Sequence, residues 1–267
     1  MYKKDVYELQ DILAVCKEVA IRAGVVIMQE YNSEKAMLVD YKEDKTPLTL
    51  ADRESNKIIV ETLREKYPEY AILSEEEKDD ITRLKKDYCF IIDPLDGTKE
   101  FIKRNGQFTV NIGLAYKHEI VMGVIYVPCT GELYFASKNQ GAYLQIKGND
   151  ILKLKVSNCV DMDKLRVVAS GSHNCKEMER LIEKYKLKNI VKMGSSLKGC
   201  LIAKGDAEIY YRYNPTMEWD TAAMQCIVEE AGGIFCQMDG SQMRYNRENS
   251  LNDKGFFVVN NKKCILE

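Results

Sequence analysis

Residues 93–98 read Asp-Pro-Leu-Asp-Gly-Thr and directly follow the apolar run 90–92. A short apolar run bounded by Pro and Gly is typical of a buried strand, so the hexapeptide stands at a strand end. On a continuing strand, residues three apart would face opposite sides of the sheet. The proline lacks the amide that a strand ladder needs, and the glycine permits positive φ. The sequence therefore predicts a turn that brings the Asp93 and Asp96 carboxylates to one point.

The residues just beyond this turn favour an anion. Residues 98–101 can begin a short helical turn, whose free backbone N–H groups attract a group such as phosphate. A metal site and a phosphate site would then be neighbours. The alternative is an ordinary surface turn, in which aspartate caps the chain and glycine bends it.

Further acidic residues lie beside apolar elements elsewhere in the chain. Glutamates 75–77 follow a short apolar run, and Asp220 falls in the first turn of a predicted helix. Each has a simpler interpretation, because the glutamates suit a solvated surface and Asp220 suits a helix N-cap. We predict that four of these carboxylates share one pocket: Glu76, Asp93, Asp96 and Asp220. Four negative charges at close range require a cation or raised pKa values.

The available ligand types indicate which metal would bind. The chain has two histidines, and its nine cysteines form no Cys-x-x-Cys pair and no spacing typical of zinc sites. Carboxylates, a backbone carbonyl such as that of Leu95, and waters suit Mg²⁺ or Mn²⁺. Two such ions about 3.5–4 Å apart can activate a water and stabilise the leaving oxygen of an in-line phosphoryl transfer. The predicted reaction is hydrolysis of a phosphate ester.

Three motifs together resemble one known family. Ser74-Glu75-Glu76, the hexapeptide 93–98 and the segment 219–223 occur in the order found in the lithium-sensitive, magnesium-dependent phosphatases that include inositol monophosphatase. Residues 93–112 resemble the bacterial 3′(2′),5′-bisphosphate nucleotidases of the CysQ type. Inositol phosphatases typically have Thr-Asn-Phe where this chain has Lys-Glu-Phe at 99–101, and this difference favours the nucleotidase branch.

The resemblance implies two or three Mg²⁺ ions, for which Mn²⁺ is a possible substitute. The first ion would be held by Glu76, Asp93 and the Leu95 carbonyl. The second would be held by Asp93, Asp96 and Asp220. A third, weaker ion would be shared by Glu76 and waters.

Thr98, paired with Asp52, would by the same resemblance orient or deprotonate the attacking water. Asp52 has a competing interpretation, because Thr49-x-x-Asp52 also matches a helix capping box. The position of Asp52 in the family pattern favours catalysis.

Substrate selection is expected from the second half of the chain. Residues 194–198 read Gly-Ser-Ser-Leu-Lys and open an apolar helix, so hydroxyls, N–H groups and a lysine would form an anion seat. The alternative is that the serines only cap the helix and that the lysine is solvated. The resemblance implies a set of substrate contacts: Gly97, Thr98, His173, Ser195, Lys198, Arg212 and Asp220. The implied substrate is adenosine 3′,5′-bisphosphate, with AMP as the product of 3′-phosphate hydrolysis, and the implied inhibitor is lithium.

Composition agrees with a soluble enzyme acting on a small phosphoester. With 39 basic and 41 acidic side chains the net charge is −2, which implies no general attraction to nucleic acid or an anionic membrane. No stretch approaches the roughly 20 apolar residues that span a bilayer, and the N-terminus lacks a signal peptide's apolar core. An odd number of cysteines scattered through apolar segments suits a reducing compartment. We expect a cytoplasmic protein, either a monomer or a homodimer.

The pattern of apolar residues predicts a layered α/β (α+β) fold without linkers or repeats. Helices are predicted over 6–27 and 51–67, and strands over 107–115, 120–127, 132–136 and 256–259. Strand and helix alternate from about residue 156 onward. The resemblance implies alternating helix and sheet layers in two tightly packed halves. We place these halves at 1–156, with most of the metal ligands, and 157–267, with Asp220 and the substrate-selecting residues.

Two other functions remain open at this point. A phosphatase for inositol phosphate or fructose bisphosphate would keep the acidic residues and change only the substrate-selecting segments. A phospho-ligand or metal sensor would bind without turnover.

Overall fold

The computed structural model describes residues 3–33, 39–41, 47–146, 150–171 and 175–266. The α-helices in these ranges are α1 (Lys3–Tyr31), α2 (Leu50–Lys66), α3 (Thr98–Ile102), α4 (Lys176–Tyr185), α5 (Leu197–Lys204) and α6 (Glu218–Glu230). The strands up to the middle of the chain are β1 (Val39–Tyr41), β2 (Pro47–Thr49), β3 (Ala71–Ser74), β4 (Tyr88–Asp96), β5 (Thr109–Tyr116), β6 (Glu119–Val127), β7 (Glu132–Ser137), β8 (Gly141–Gln145) and β9 (Ile151–Lys153). The later strands are β10 (Arg166–Ser170), β11 (Asn189–Met193), β12 (Ile209–Arg212), β13 (Thr216–Met217), β14 (Ile234–Gln237), β15 (Leu251–Asn252) and β16 (Phe256–Val259). Short 3₁₀-helices cover Ile81–Lys85 and Lys262–Cys264.

Two large sheets organise the chain. The first has seven strands in the sequential order β3 to β9, and all its pairs are antiparallel except β3–β4. The second has five strands in the order β11-β10-β12-β16-β14 and mixes parallel with antiparallel pairs. Two-stranded ladders join β1 to β2 and β13 to β15.

Alternation along the strands places these sheets between layers of helices. In β4, Phe90 and Ile92 pack in the core that includes α1 and α2, whereas Cys89 and Ile91 pack in the core that includes α5 and α6. In the second sheet, Val168 shares the core with α5 and α6, and Val167 faces α4. The order of layers is helices, sheet, helices, sheet, helix. The predicted layered α/β fold is confirmed.

Most predicted elements are present, with small differences at their ends. The first helix, the second helix and the strands of the central region occur where the periodicity placed them. Strands β8 and β9 were not anticipated, because each is short and β9 is exposed at all three residues.

The division of the chain into halves at 156/157 stays a prediction, although it falls between the last strand of the first sheet and the first strand of the second. No helix in the described ranges combines the length and apolar character needed to cross a membrane.

Helix α6 approaches the first sheet closely because two facing strands carry glycine. A Cβ atom on Gly123 would lie 2.4 Å from the Ala223 carbonyl oxygen, and one on Gly113 would lie 2.8 Å from the Ala222 Cβ. The Ala223 backbone and the short Ala222 side chain can move only if α6 itself shifts, so these positions exclude a side chain. These small residues therefore allow the short distance between α6 and the sheet, and they fix the position of Asp220 relative to β4.

We predict that Gly123→Ala lowers the free energy of unfolding by about 1–3 kcal/mol, because the added methyl overpacks the contact between β6 and α6. Gly171→Ala is the matched control, since no atom of the described residues lies within 4 Å of a Cβ built there. Urea denaturation followed by circular dichroism measures both. Equal stability of the two variants would contradict the close packing.

Candidate active site

Asp93 and Asp96 lie on one side of β4 because the strand contains a bulge. Asp93 pairs with Asn111 and Asp96 pairs with Thr109, so three residue steps on β4 oppose two on β5. The extra residue reverses the alternation of side chains, and residues directly opposite each other share a face of the sheet. Both carboxylates therefore face the same side. The predicted convergence is present, but the predicted turn is wrong, because the strand continues through a bulge as far as Asp96.

The polar groups of the bulge are satisfied by neighbouring side chains. The Leu95 N–H donates to Asp93 Oδ1 at 3.1 Å, and the Ser55 hydroxyl of α2 donates to the Pro94 carbonyl at 2.7 Å. Gly97 has φ +95° and precedes α3, as the hexapeptide predicted. The bulge is thus held in place on both its carbonyl and its amide side.

Asp220 meets these two aspartates from the first turn of α6. The ligand oxygens of Asp93, Asp96 and Asp220 all lie within 4.8 Å of one another. The Met217 N–H donates to Asp220 Oδ2 at 2.6 Å, so Asp220 also caps the helix. The N-cap of α6 is Met217 and Asp220 occupies the N3 position, so the predicted N-cap role of Asp220 is wrong in its position, and its role as a metal ligand stays a prediction. Three carboxylates so close together form a donor set that suits a hard divalent cation.

Glu75, and not Glu76, lines the cavity that contains these aspartates. The Glu75 N–H donates to the Ile92 carbonyl at 3.1 Å, so the backbone pairing of β3 with β4 extends one residue beyond the strand. The chain then turns at these two glutamates, because the Glu77 N–H donates to the Ser74 carbonyl at 3.3 Å, and only Glu75 of the pair lines the cavity. The assignment of Glu76 is corrected to Glu75. Glu77 is held elsewhere, by an ion pair with Arg64 at 3.0 Å.

Burial and the charges of neighbouring carboxylates make Asp93 and Asp220 difficult to ionise. Asp93 is 1% exposed. Its burial, followed by the charges of Glu75, Asp96 and Asp220, raises its pKa well above the usual value. Burial and then the Asp96 charge raise the pKa of Asp220 to about 7. Asp93 and Asp220 therefore bind protons unless a cation compensates the charges.

Asp52 forms hydrogen bonds at both of its carboxylate oxygens. Oδ2 accepts the Thr49 N–H at 2.7 Å and the Thr49 hydroxyl at 2.5 Å, which completes the cap of α2. Oδ1 accepts the Thr98 hydroxyl at 3.1 Å. Burial is the main reason that the pKa of Asp52 rises to about 6. Asp52 therefore caps a helix and also contacts the threonine that the sequence paired with it.

Asp96 is held by a second group of hydrogen bonds that sequence reasoning did not assign. Its Oδ2 accepts the Ser195 hydroxyl at 2.8 Å, the Ser196 N–H at 2.6 Å and the Ser196 hydroxyl at 2.8 Å. Asn111 Nδ2 donates to the same oxygen at 3.2 Å, and the Thr109 hydroxyl donates to Asn111 Oδ1 at 2.9 Å. The sequence did contain one indication of this group, because Thr109 and Asn111 are polar residues two positions apart in an otherwise apolar strand. Both are fully buried on the face that carries the aspartates.

Lys198 and Arg212 border the same cavity, whose volume is about 260 Å³. Lys198 is buried, and its Nζ donates to the Ser195 carbonyl at 2.5 Å. Burial lowers the pKa of this ammonium group, and the nearby Arg212 acts in the same direction. Arg212 Nε is buried and has no hydrogen-bond partner among the residues that the structure describes. Two cations thus face the cavity beside the acidic cluster.

The other predicted substrate contacts are distributed as follows. Gly97, Thr98 and Ser195 line the cavity together with Asp220. Ser195 has φ +53°, and its hydroxyl is engaged with Asp96 and with Thr109. His173 lies outside the described residues.

Known proteins share this architecture and sequence. The 3′(2′),5′-bisphosphate nucleotidase CysQ of Buchnera aphidicola is 41% identical over 245 residues, which cover 90% of this chain and 91% of that protein. The protein of the same name from Salmonella typhimurium is 36% identical, with 92% and 98% covered. The crystal structure of CysQ from Bacteroides thetaiotaomicron superposes with a TM-score of 0.82 at 39% identity, covering 95% of this chain and 98% of that one.

The family model for the inositol monophosphatase family matches residues 8–266, which is nearly the whole chain. The resemblance that the three acidic motifs indicated is therefore confirmed. This chain belongs to the inositol monophosphatase family.

Proposed function

We propose that this protein is a metal-dependent 3′(2′),5′-bisphosphate nucleotidase that hydrolyses the 3′-phosphate of adenosine 3′,5′-bisphosphate to AMP and phosphate. The observation that carries the proposal is the close approach of Asp93, Asp96 and Asp220 in a cavity that is also bordered by two cations. The names of relatives with 32–41% identity support the choice of substrate.

The donor set supports Mg²⁺ as the resident cation. The carboxylates of Asp93, Asp96 and Asp220 would hold it, with Glu75 replacing the glutamate first assigned and the Leu95 carbonyl as a further oxygen donor. Two or three ions, with Mn²⁺ as a substitute, remain the family expectation. Lithium should inhibit, and Ca²⁺ should also inhibit because its coordination shell is larger and looser than that of Mg²⁺.

When bound, the cation lowers the pKa of a water and stabilises the leaving oxygen of the ester. The protein's own contribution is a proton path from that water. Thr98 Oγ1 lies 3.1 Å from Asp52 Oδ1, so the hydroxyl orients a water and passes a proton to the carboxylate. A pKa of about 6 suits Asp52 to accept this proton near neutral pH. The P–O3′ bond breaks as the water oxygen binds phosphorus, and the 3′ oxygen takes up a proton from solvent, which balances the proton that Asp52 later releases to solvent.

Lys198 and Arg212 would bind the second phosphate of the substrate. Both cations border the cavity, and Arg212 Nε has no protein acceptor in the described part of the chain. A charge-assisted hydrogen bond to phosphate would satisfy that nitrogen. Contacts of Gly97, Ser195 and His173 with the nucleotide remain predictions.

A reducing, cytoplasmic location is part of the proposal. All nine cysteines lie in the described ranges, and each is a free thiol. Free thiols persist where glutathione and thioredoxin keep them reduced. With a net charge of −2, we propose a small phosphoester as the partner and neither nucleic acid nor a membrane.

The test of function is Mg²⁺-dependent phosphate release from adenosine 3′,5′-bisphosphate, compared with inositol 1-phosphate and fructose 1,6-bisphosphate. We expect kcat/KM for the nucleotide to exceed the other two values by at least about tenfold, which corresponds to one additional contact of about 1.4 kcal/mol. Asp96→Asn serves as the inactive control. Faster hydrolysis of inositol 1-phosphate would favour the alternative phosphatase, and no release from any ester would favour a sensor. Near-normal turnover by Asp96→Asn would refute the mechanism.

Asp52→Asn tests the proton path. Asparagine keeps one acceptor oxygen for the cap of α2 but cannot take up the proton from Thr98, so we expect kcat to fall by about 10²–10⁴-fold. The melting temperature should change little. Steady-state kinetics at saturating Mg²⁺ and a thermal melt measure the two effects. Loss of stability without loss of kcat would leave Asp52 with a capping role only.

The acidic cluster should make the metal-free protein less stable as pH rises. Because the pKa of Asp220 is raised to about 7, the folded protein holds a proton that the unfolded chain releases near pH 4. Stability from this group is therefore present below about pH 4 and lost as pH rises to about 7. Relative to Asp220→Asn, the original protein in EDTA should lose about 1–3 kcal/mol of unfolding free energy between pH 5 and pH 8. Urea denaturation measures the free energy of unfolding of both proteins at both pH values. An equal change with pH in the original protein and in Asp220→Asn would contradict this prediction.

A further inference from the structure

The segment 246–252 surrounds the first turn of α6 with buried polar contacts. The Glu218 carboxylate is fully buried and accepts the N–H groups of Asn246 at 2.6 Å and Arg247 at 3.0 Å. The Glu218 N–H in turn donates to the Ser250 carbonyl at 3.0 Å. Glu218 is two residues from Asp220, so these bonds fix the helical turn that carries the carboxylate.

Arg247 connects both ends of this turn. Its Nε donates to Glu218 Oε1 at 3.1 Å, and its Nη2 donates to Asn252 Oδ1 at 2.6 Å. The Asn252 amide donates to the Met217 carbonyl at 2.9 Å. Met217 is the residue whose N–H bonds Asp220 Oδ2. One guanidinium thus reaches the buried acid and, through one asparagine, the cap of the helix.

Arg83 joins this network to the segment between Glu75 and Asp93. Arg83 is 3% exposed and lies in the 3₁₀-helix that separates β3 from β4. Its Nη1 donates to Asn246 Oδ1 at 2.7 Å, and its Nη2 donates to the Arg247 carbonyl at 2.8 Å. The Asn246 amide returns a bond to the Arg83 carbonyl at 3.2 Å. The segment that links Glu75 to Asp93 is therefore tied to the segment that holds α6.

We propose that Arg247 and Arg83 are positioning residues of the metal site, because their buried network fixes the first turn of α6 relative to β4. The inference rests on the proposed metal binding. Mg²⁺ demands near-ideal octahedral geometry, so a small shift of Asp220 weakens binding. A fully satisfied buried polar network resists such shifts, and outer-shell partners of this kind contribute about 10–100-fold to metal affinity.

The test is the dissociation constant for Mg²⁺, and for Mn²⁺ as a second probe, measured by isothermal titration calorimetry on the purified protein without substrate. Arg247→Met should raise the dissociation constant about 10–100-fold. It should leave kcat at saturating Mg²⁺ nearly unchanged, because Arg247 does not line the cavity. Arg247→Lys retains a cation beside Glu218 but cannot reach both Glu218 and Asn252, so a smaller rise is expected. This variant decides the matter if Arg247→Met does not fold.

Arg166→Met is the matched control. Arg166 pairs with Glu208 through Nη2 and Oε1 at 2.5 Å, and Glu208 is fully buried, like Glu218. Neither residue of this pair borders the cavity. The control should lose stability while keeping the metal affinity of the original protein. All titrations are made well below the lowest melting temperature of the set.

The outcomes separate this inference from the proposed function. Weakened metal binding in Arg247→Met but not in Arg166→Met supports it. Unchanged affinity in Arg247→Met, or equal weakening in both variants, overturns it and leaves the proposed function intact. If the original protein binds neither ion, the proposed metal site and this inference both fail.

Discussion

Repulsion among carboxylates is the constraint on which this structure depends. Glu75, Asp93, Asp96 and Asp220 come from three segments of the chain and face one cavity, where burial of Asp93 and the charges of its neighbours raise the pKa of that carboxyl. Such a cluster is unfavourable unless protons or a cation reduce its charge. The surrounding fold must therefore hold the acids together without relying on attraction between them.

Backbone and hydroxyl donors provide that restraint. Asp93 accepts the N–H of Leu95 inside the bulge, Asp220 accepts the N–H of Met217, and Asp96 accepts four donors at one oxygen. Each of these three aspartates thus has a fixed orientation that does not depend on the cation. Because these side chains are already oriented, less conformational entropy would be lost when a cation binds.

Capping and the proposed site roles fall on the same side chains. Asp52 and Asp220 each occupy the N3 position of a helix, where a carboxylate can accept the N–H of the N-cap residue and is favoured by the helix dipole. Asp52 uses its other oxygen to accept the hydroxyl of Thr98, which lines the cavity, and Asp220 lines the cavity itself. A capping pattern in a sequence therefore does not exclude a role in an active site, and here it supplies the rigidity that such a role requires.

The amino-acid sequence by itself determined the family, the layered fold and the choice of Asp93, Asp96 and Asp220 as candidate site residues. It did so because each motif places an acidic residue beside an apolar run or a turn, and because the motifs follow one another in the order typical of the family. Only the tertiary structure decided which glutamate faces the cavity, why residues three apart share a face, and that Asn111 and the 195–196 loop hold Asp96. These features depend on strand register and on contacts between residues about 15 to 130 positions apart. A shift of one residue reverses every side chain, and a sequence pattern does not fix register at that precision.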